Sequence, residues 1–212
     1  MINDKLHNYI EKLIPNRTEL FTEMEQYALQ HEVPIMELAG IEAMLQLLRI
    51  QQPKKILEVG TAIGYSALRM SFAVPNANIV TIERDVERYE VAEHYISKAN
   101  KQEYIQLIKG DALEVEDRVK SLAPYDVIFI DAAKGQYKRF FELYSKYLQP
   151  GGMIITDNVL FKGLVCDDDI ENKRIRNLVR KIDDFNHWLM NHSDYDTVIL
   201  PVGDGVAISK KR

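Results

Sequence analysis

Two apolar runs that stop at oxygen-bearing side chains constrain this chain more than any other feature. Ile128-Phe129-Ile130 runs into Asp131-Ala132-Ala133-Lys134, and Ile154-Ile155 runs into Thr156-Asp157-Asn158. Short β-branched runs bounded by turn residues read as strands buried on both faces of a parallel sheet. The carboxyl ends of such strands face the ligand crevice of an open α/β sheet, so Asp131, Asp157 and Asn158 are expected to meet at one spot. Two carboxylates and an amide carbonyl are hard oxygen donors, suited to Mg²⁺ or another divalent cation that keeps positions for water and substrate. Lys134 is expected to hang over the same spot, as a base or as a charge that stabilises an oxyanion.

The rest of the chain repeats the same rhythm. Strand-like runs fall at 55–59, 78–82, 104–108, 126–130 and 152–156, with helix-like stretches between them at 64–73, 86–99, 112–121 and 137–148. That alternation predicts a doubly wound parallel sheet. A long helix is expected over 171–191, and the runs 197–200 and 206–209, joined by Pro201-Val-Gly-Asp-Gly205, predict a closing antiparallel hairpin. Upstream, residues 4–14 and 17–31 have apolar side chains at helical spacing, Pro15-Asn16 breaks between them, and Pro34 is expected to open a third helix running to Ile50. These three helices read as a cap on the sheet or a surface for homodimerisation. With 212 residues the chain suits one domain over 1–212, divided into a cap (1–50) and a core (53–212).

Bulk properties narrow the partners. No apolar run approaches the length needed to cross a bilayer, and the start of the chain shows no signal-peptide pattern. A single cysteine, Cys166, excludes an internal disulfide framework and suits a reducing cytoplasm. It lies beside the acidic trio Asp167, Asp168 and Asp169, which reads as a solvated loop. The net charge of −5 argues against indiscriminate nucleic-acid binding but permits a local basic patch. Lys173, Arg174, Arg176, Arg180 and Lys181, with Lys138 and Arg139, form such a patch; it reads either as a solvated helix face or as a contact for phosphates.

The first strand ends in Glu58-Val-Gly60-Thr-Ala-Ile-Gly64-Tyr65-Ser66. Gly60 lets backbone approach a ligand and Gly64 gives tight entry to a helix, yet the third glycine of a dinucleotide fingerprint is missing. Glu83, at the end of the second strand, is placed to accept hydrogen bonds from both ribose hydroxyls of a nucleoside cofactor. Gly110-Asp111 ends the third strand near where an adenine would lie. A cofactor without a pyrophosphate needs no phosphate cradle, so S-adenosylmethionine suits this turn better than a nicotinamide dinucleotide.

Taken together, Glu58-x-Gly60, Gly64-Tyr65-Ser66, Glu83, Gly110-Asp111, Asp131-Ala-Ala-Lys134 and Asp157-Asn158 resemble the cation-dependent class I O-methyltransferases, which include those acting on catechol and caffeoyl-coenzyme A. The resemblance runs from about residue 33 to the C-terminus. It implies a Rossmann-like, seven-stranded, mostly parallel sheet with a C-terminal antiparallel hairpin. It further implies S-adenosylmethionine contacts from Met36, Glu58, Gly60, Ser66, Glu83, Asp111 and Asp131, metal ligation by Asp131, Asp157 and Asn158, and a catalytic Lys134. Within the family, Val33-Pro-Ile-Met36-Glu, Thr156-Asp-Asn-Val-Leu-Phe-Lys-Gly163, Asn186-His-Trp-Leu-Met-Asn-His192 and Pro201-Val-Gly-Asp-Gly205 resemble bacterial enzymes that methylate 5-hydroxyuridine in tRNA. That closer resemblance implies the anticodon loop of tRNA as partner and 5-methoxyuridine at wobble position 34 as product. A small-molecule catechol is the alternative substrate, because 5-hydroxyuridine and catechol both offer two neighbouring oxygens to a cation.

Overall fold

The computed structural model describes residues 4–167 and 169–212. Three helices come first: α1 (Asp4–Leu13), α2 (Glu19–Gln30) and α3 (Leu38–Gln51). Strands and helices then alternate as β1 (Lys55–Val59), α4 (Tyr65–Ala73), β2 (Asn78–Glu83), α5 (Val86–Lys98), β3 (Ile105–Lys109), α6 (Glu116–Lys120), β4 (Tyr125–Ile130), α7 (Tyr137–Tyr144) and β5 (Leu148–Thr156). The chain closes with α8 (Lys173–Met190), β6 (Tyr195–Leu200) and β7 (Val206–Lys211). The seven strands form one sheet in the order β3-β2-β1-β4-β5-β7-β6. Strands β1 to β5 pair in parallel, whereas β7 runs antiparallel to both β5 and β6. The predicted Rossmann-like sheet with its terminal hairpin is therefore present.

Both faces of the sheet are buried, which is why its strands are nearly continuous in apolar residues. On one face Ile56, Val127, Phe129 and Ile155 pack with residues of α2 to α5 such as Met24, Leu45 and Leu68. On the other, Leu57, Ile128, Ile130 and Ile154 pack with Phe141 and Tyr144 of α7 and Phe185 and Leu189 of α8. Asp126 joins strands from below the crevice: its Oδ2 accepts from the backbone N–H groups of Lys54 and Lys55, both at 2.7 Å.

Several boundaries depart from the sequence reading. The third helix begins at Leu38 rather than Pro34, because Glu37 is extended (φ −60°, ψ 148°). The freed segment runs over the crevice instead. The helix expected over 112–121 is helical only from Glu116, since Asp111 first closes a turn by accepting from Glu114 and Val115 N–H. Strand β5 starts at Leu148, earlier than expected, with a register irregularity against β4 between Tyr125 and Val127. Helix α8 starts where Asn172 caps it, its Oδ1 accepting from Arg174 and Ile175 N–H at 2.9 and 3.2 Å. Among the described residues no helix is long and apolar enough to cross a membrane.

Candidate active site

The ends of β1, β2, β4 and β5 open into one cavity of about 710 Å³. Strand order reverses between β1 and β4, which is where a ligand crevice forms in this architecture. The hydrogen-bond ladder continues one residue past the strand ends, Asp131 N donating to Val59 O (2.9 Å) and Asp157 N to Ile130 O (3.1 Å). Phe129 pairs with Ile155 in register, so the residues two further on, Asp131 and Asp157, project to the same side. Asn158 then turns the chain in the left-handed region (φ 59°), a conformation asparagine tolerates. Its Nδ2 donates to Asp157 Oδ2 at 2.9 Å, and its Oδ1 accepts from Lys134 Nζ.

This corner is crowded with negative charge. Burial raises Asp131 to about 6, partly opposed by the Lys134 ammonium. Burial also pushes Asp157 well above the usual carboxylate range, and the Asp131 charge adds to it. Among the described residues no group of three or more His, Cys, Asp or Glu is arranged to hold a metal; the oxygen set here is two carboxylates and an amide. A buried carboxylate and a half-buried one, with the Lys134 ammonium as counter-charge, fit a hard divalent cation, which favours oxygen donors and would stabilise their ionised forms.

The adjoining wall of the cavity is built around Gly60. A Cβ there would lie 2.0 Å from the backbone oxygen of Asp131, and φ is +103°, so β1 and β4 approach this closely only with glycine. Glu83 is held by two N–H groups, Ala62 N to Oε2 at 2.7 Å and Asp85 N to Oε1 at 2.8 Å. Asp111 accepts from Leu113 N at 2.9 Å and faces Arg84 at 3.3 Å. Met36, Gly60, Glu83, Asp111, Asp131, Lys134, Asp157 and Asn158 thus all line one cavity.

Glu58 and Ser66, also expected to touch the cofactor, are not part of that lining. Ser66 Oγ and Thr81 Oγ1 each donate to the fully buried Glu58 carboxyl at 2.5 Å, and burial pushes Glu58 up to about 7. They brace the turn from behind. Tyr65 also faces away, donating to Glu25 Oε1 (2.6 Å) and accepting from Arg69 Nη1 (2.7 Å).

A family model described as O-methyltransferase matches residues 12–212. The chain belongs to the O-methyltransferase family. Among curated relatives, a catechol O-methyltransferase from Niastella koreensis is 34% identical over 174 residues, covering 78% of this chain and 77% of its own. A caffeoyl-CoA O-methyltransferase from Stellaria longipes is 28% identical over 220 residues, covering 99% and 91%. Among solved structures, a Staphylococcus aureus protein provisionally described as a caffeoyl-CoA O-methyltransferase superposes with TM-score 0.87 at 35% identity, covering 99% of this chain and 97% of its own. A methyltransferase from Podospora anserina, bound to S-adenosylhomocysteine, gives TM-score 0.85 at 27% identity, covering 99% and 94%.

In this methyltransferase Asp204 and Glu37 were not singled out as site residues by the sequence. Asp204, in the β6–β7 turn, lines the cavity, and its backbone oxygen accepts from Leu160 and Phe161 N–H at 2.9 and 3.2 Å. Only an acid set between two glycines hinted at it. Glu37 lines the same wall, and Phe161 carries Lys134 Nζ 5.8 Å from its ring centroid. Beside the cavity, Lys173, Arg174, Asn177, Leu178 and Lys181 of α8 line a second depression of about 590 Å³. Leu178 and Lys181 pack over Gly135, next to Lys134. His192 packs in an aromatic group with Phe141, Trp188 and Tyr195, and His187 pairs with Asp183 on the surface. Cys166 is exposed, Asp167 accepts from Asp169 N–H, and Asp168 lies outside the described residues.

Proposed function

We propose that this enzyme transfers the methyl group of S-adenosylmethionine to one of two neighbouring oxygens of a substrate, with a divalent cation held by Asp131, Asp157 and Asn158. The observation that carries this reading is the pairing, in one cavity, of an acidic, oxygen-rich corner with a recess lined by Gly60, Glu83 and Asp111. The Podospora anserina relative bound to S-adenosylhomocysteine supports the cofactor. A bound divalent cation supplies Lewis acidity, lowering the pKa of a ligated hydroxyl. In the recess the Glu83 carboxylate accepts from ribose hydroxyls, Asp111 takes an adenine N–H, and Met36 closes the wall over the cofactor. Lys134 receives the proton of the reacting hydroxyl if its amine is first neutral, and as the ammonium it balances the oxyanion. Most remaining acceleration comes from holding oxygen and methyl in line at about 3–3.5 Å.

The relatives' names favour a small catechol-type substrate. A second reading, 5-hydroxyuridine at wobble position 34 of tRNA, is favoured by the basic depression on α8 adjoining Gly135 and Lys134, since an anticodon loop brings phosphates with its base. Methyl transfer from labelled S-adenosylmethionine is to be measured on simple catechols and on tRNA carrying 5-hydroxyuridine, with Mg²⁺ and with chelator. Transfer that survives full chelation rejects the cation, and transfer to neither acceptor rejects the vicinal-oxygen substrate. We further read the chain as one cytoplasmic domain that pairs with a second copy through α1, whose Leu6, Tyr9 and Leu13 are exposed. Light scattering showing a monomer would remove that pairing.

A further inference from the structure

Close to the acidic corner lies a hydroxyl with nothing to bond to. Tyr137 opens α7, three residues past Lys134, and its ring packs on Phe185 with centroids 5.5 Å apart. The residue is 1% exposed, and its hydroxyl has no hydrogen-bond partner. Only two other buried side-chain polar atoms share that condition among the described residues, Ser71 Oγ and Asn186 Oδ1. Buried hydroxyls are nearly always bonded, because burial forfeits their bonds to water. Three other buried tyrosines follow the rule: Tyr125 donates to Val119 O at 2.8 Å, Tyr144 to Ala112 O, and Tyr65 to Glu25.

The surroundings of Tyr137 point to its missing partner. Burial raises its hydroxyl, and the charges that raise it further are the carboxylates of Asp131, Asp157 and Asp204. All three line the cavity, while Tyr137 does not, so the phenol stands behind the wall they form. Asp157 is drawn toward the Asn158 amide, which is itself tied to Lys134. A cation that takes Asn158 Oδ1 and the carboxylates as ligands rearranges those bonds. Carboxylates that ligate metals are in turn oriented by donors outside the ligand set, and a phenol is such a donor.

We propose that Tyr137 is a positioning residue for the Asp131–Asp157 pair, its hydroxyl donating to a carboxylate oxygen when the pair ligates a divalent cation. The inference rests on the cation site proposed above and adds a donor behind it. No proton is transferred and no ligand is added.

The test compares the full-length protein with its Tyr137→Phe and Tyr144→Phe variants, all freed of metal by chelation. Thermal unfolding is recorded without metal, and Mn²⁺ affinity is read with S-adenosylhomocysteine present from the electron paramagnetic resonance of the free ion. Tyr137→Phe is expected to unfold at the wild-type temperature or above it, since no bond is lost, and to bind Mn²⁺ about 10-fold more weakly or worse. Tyr144→Phe, which loses a bond, is expected to unfold several degrees lower and to bind Mn²⁺ normally. The inference fails if Tyr137→Phe binds Mn²⁺ within about twofold of wild type, or melts low like Tyr144→Phe. A wild-type protein that binds no Mn²⁺ overturns the cation site and this inference together. A wild type that binds, matched by its Tyr137→Phe variant, overturns the inference alone.

Discussion

Asp131 and Asp157 bind their protons more tightly in the fold than in the unfolded chain, because burial disfavours the ionised forms and a neighbouring carboxylate, Asp204 for Asp131 and Asp131 for Asp157, adds to it. The direction of the pH effect follows. With Asp131 raised from 3.8 to about 6, the native state holds more protons across that window, so without metal stability falls as pH rises through it. Glu58, raised from 4.5 to about 7, acts with the same sign. A cation must displace these protons, so its stabilisation grows over the same range. Melting curves from pH 5 to 8, in chelator and in Mg²⁺ with S-adenosylhomocysteine, are expected to diverge as pH rises. A constant gap would falsify the ligand assignment. Replacing Asp157 with Ala removes a carboxyl whose ionised form burial disfavours, so that variant is expected to fold as stably as wild type in chelator while losing the metal-induced shift and turnover. Full activity of Asp157→Ala in chelator-treated buffer refutes the metal role.

Between elements, the decisive contact is the approach of β1 to β4 at Gly60. In Gly60→Ala the added carbon meets a backbone oxygen at 2.0 Å rather than a side chain that can turn away. A loss of about 3 kcal/mol or more is expected in urea unfolding, with weakened S-adenosylhomocysteine binding. Gly151 is the control: its φ is +69° but nothing lies within 4 Å, so Gly151→Ala is expected to cost about 1 kcal/mol. An equal loss at both positions means the close approach is not what Gly60 provides. The strands and the convergence of Asp131, Asp157 and Asn158 were legible in the sequence because buried parallel strands are apolar without interruption and end abruptly at polar residues. The placement of Tyr65 and Ser66 was not. Both follow Gly64 in the first turn of α4, and a motif does not say which way that turn faces. Here it faces Glu58 and a buried charge network in which Arg69 bonds Tyr65 and Glu42, while Arg17 bonds Glu25 at 2.8 Å. The start of α3 was hidden for a related reason, since Pro34 can open a helix or hold an extended segment.

At the scale of the whole molecule, a net charge of −5 coexists with a basic stretch of α8 immediately beside the cavity. Long-range attraction to a polyanion is therefore weak, and any phosphate contact must be local and sensitive to salt. This separates the two substrate readings without touching the residues assigned to chemistry. Lys173 and Arg174 lie in the depression on α8 but do not line the main cavity. Charge reversal at both, Lys173→Glu with Arg174→Glu, is expected to leave methylation of a catechol within about twofold of wild type, because a neutral acceptor makes no use of those charges. If tRNA is the substrate, the same variant is expected to lose about 10-fold or more in kcat/KM on tRNA, and its logarithmic salt dependence is expected to flatten by roughly 1 to 2 units, one for each phosphate contact removed. A variant that methylates tRNA like wild type at every salt concentration excludes this face as the phosphate contact. One that loses catechol and tRNA activity alike has instead disturbed the packing of Leu178 and Lys181 over Gly135, the neighbour of Lys134.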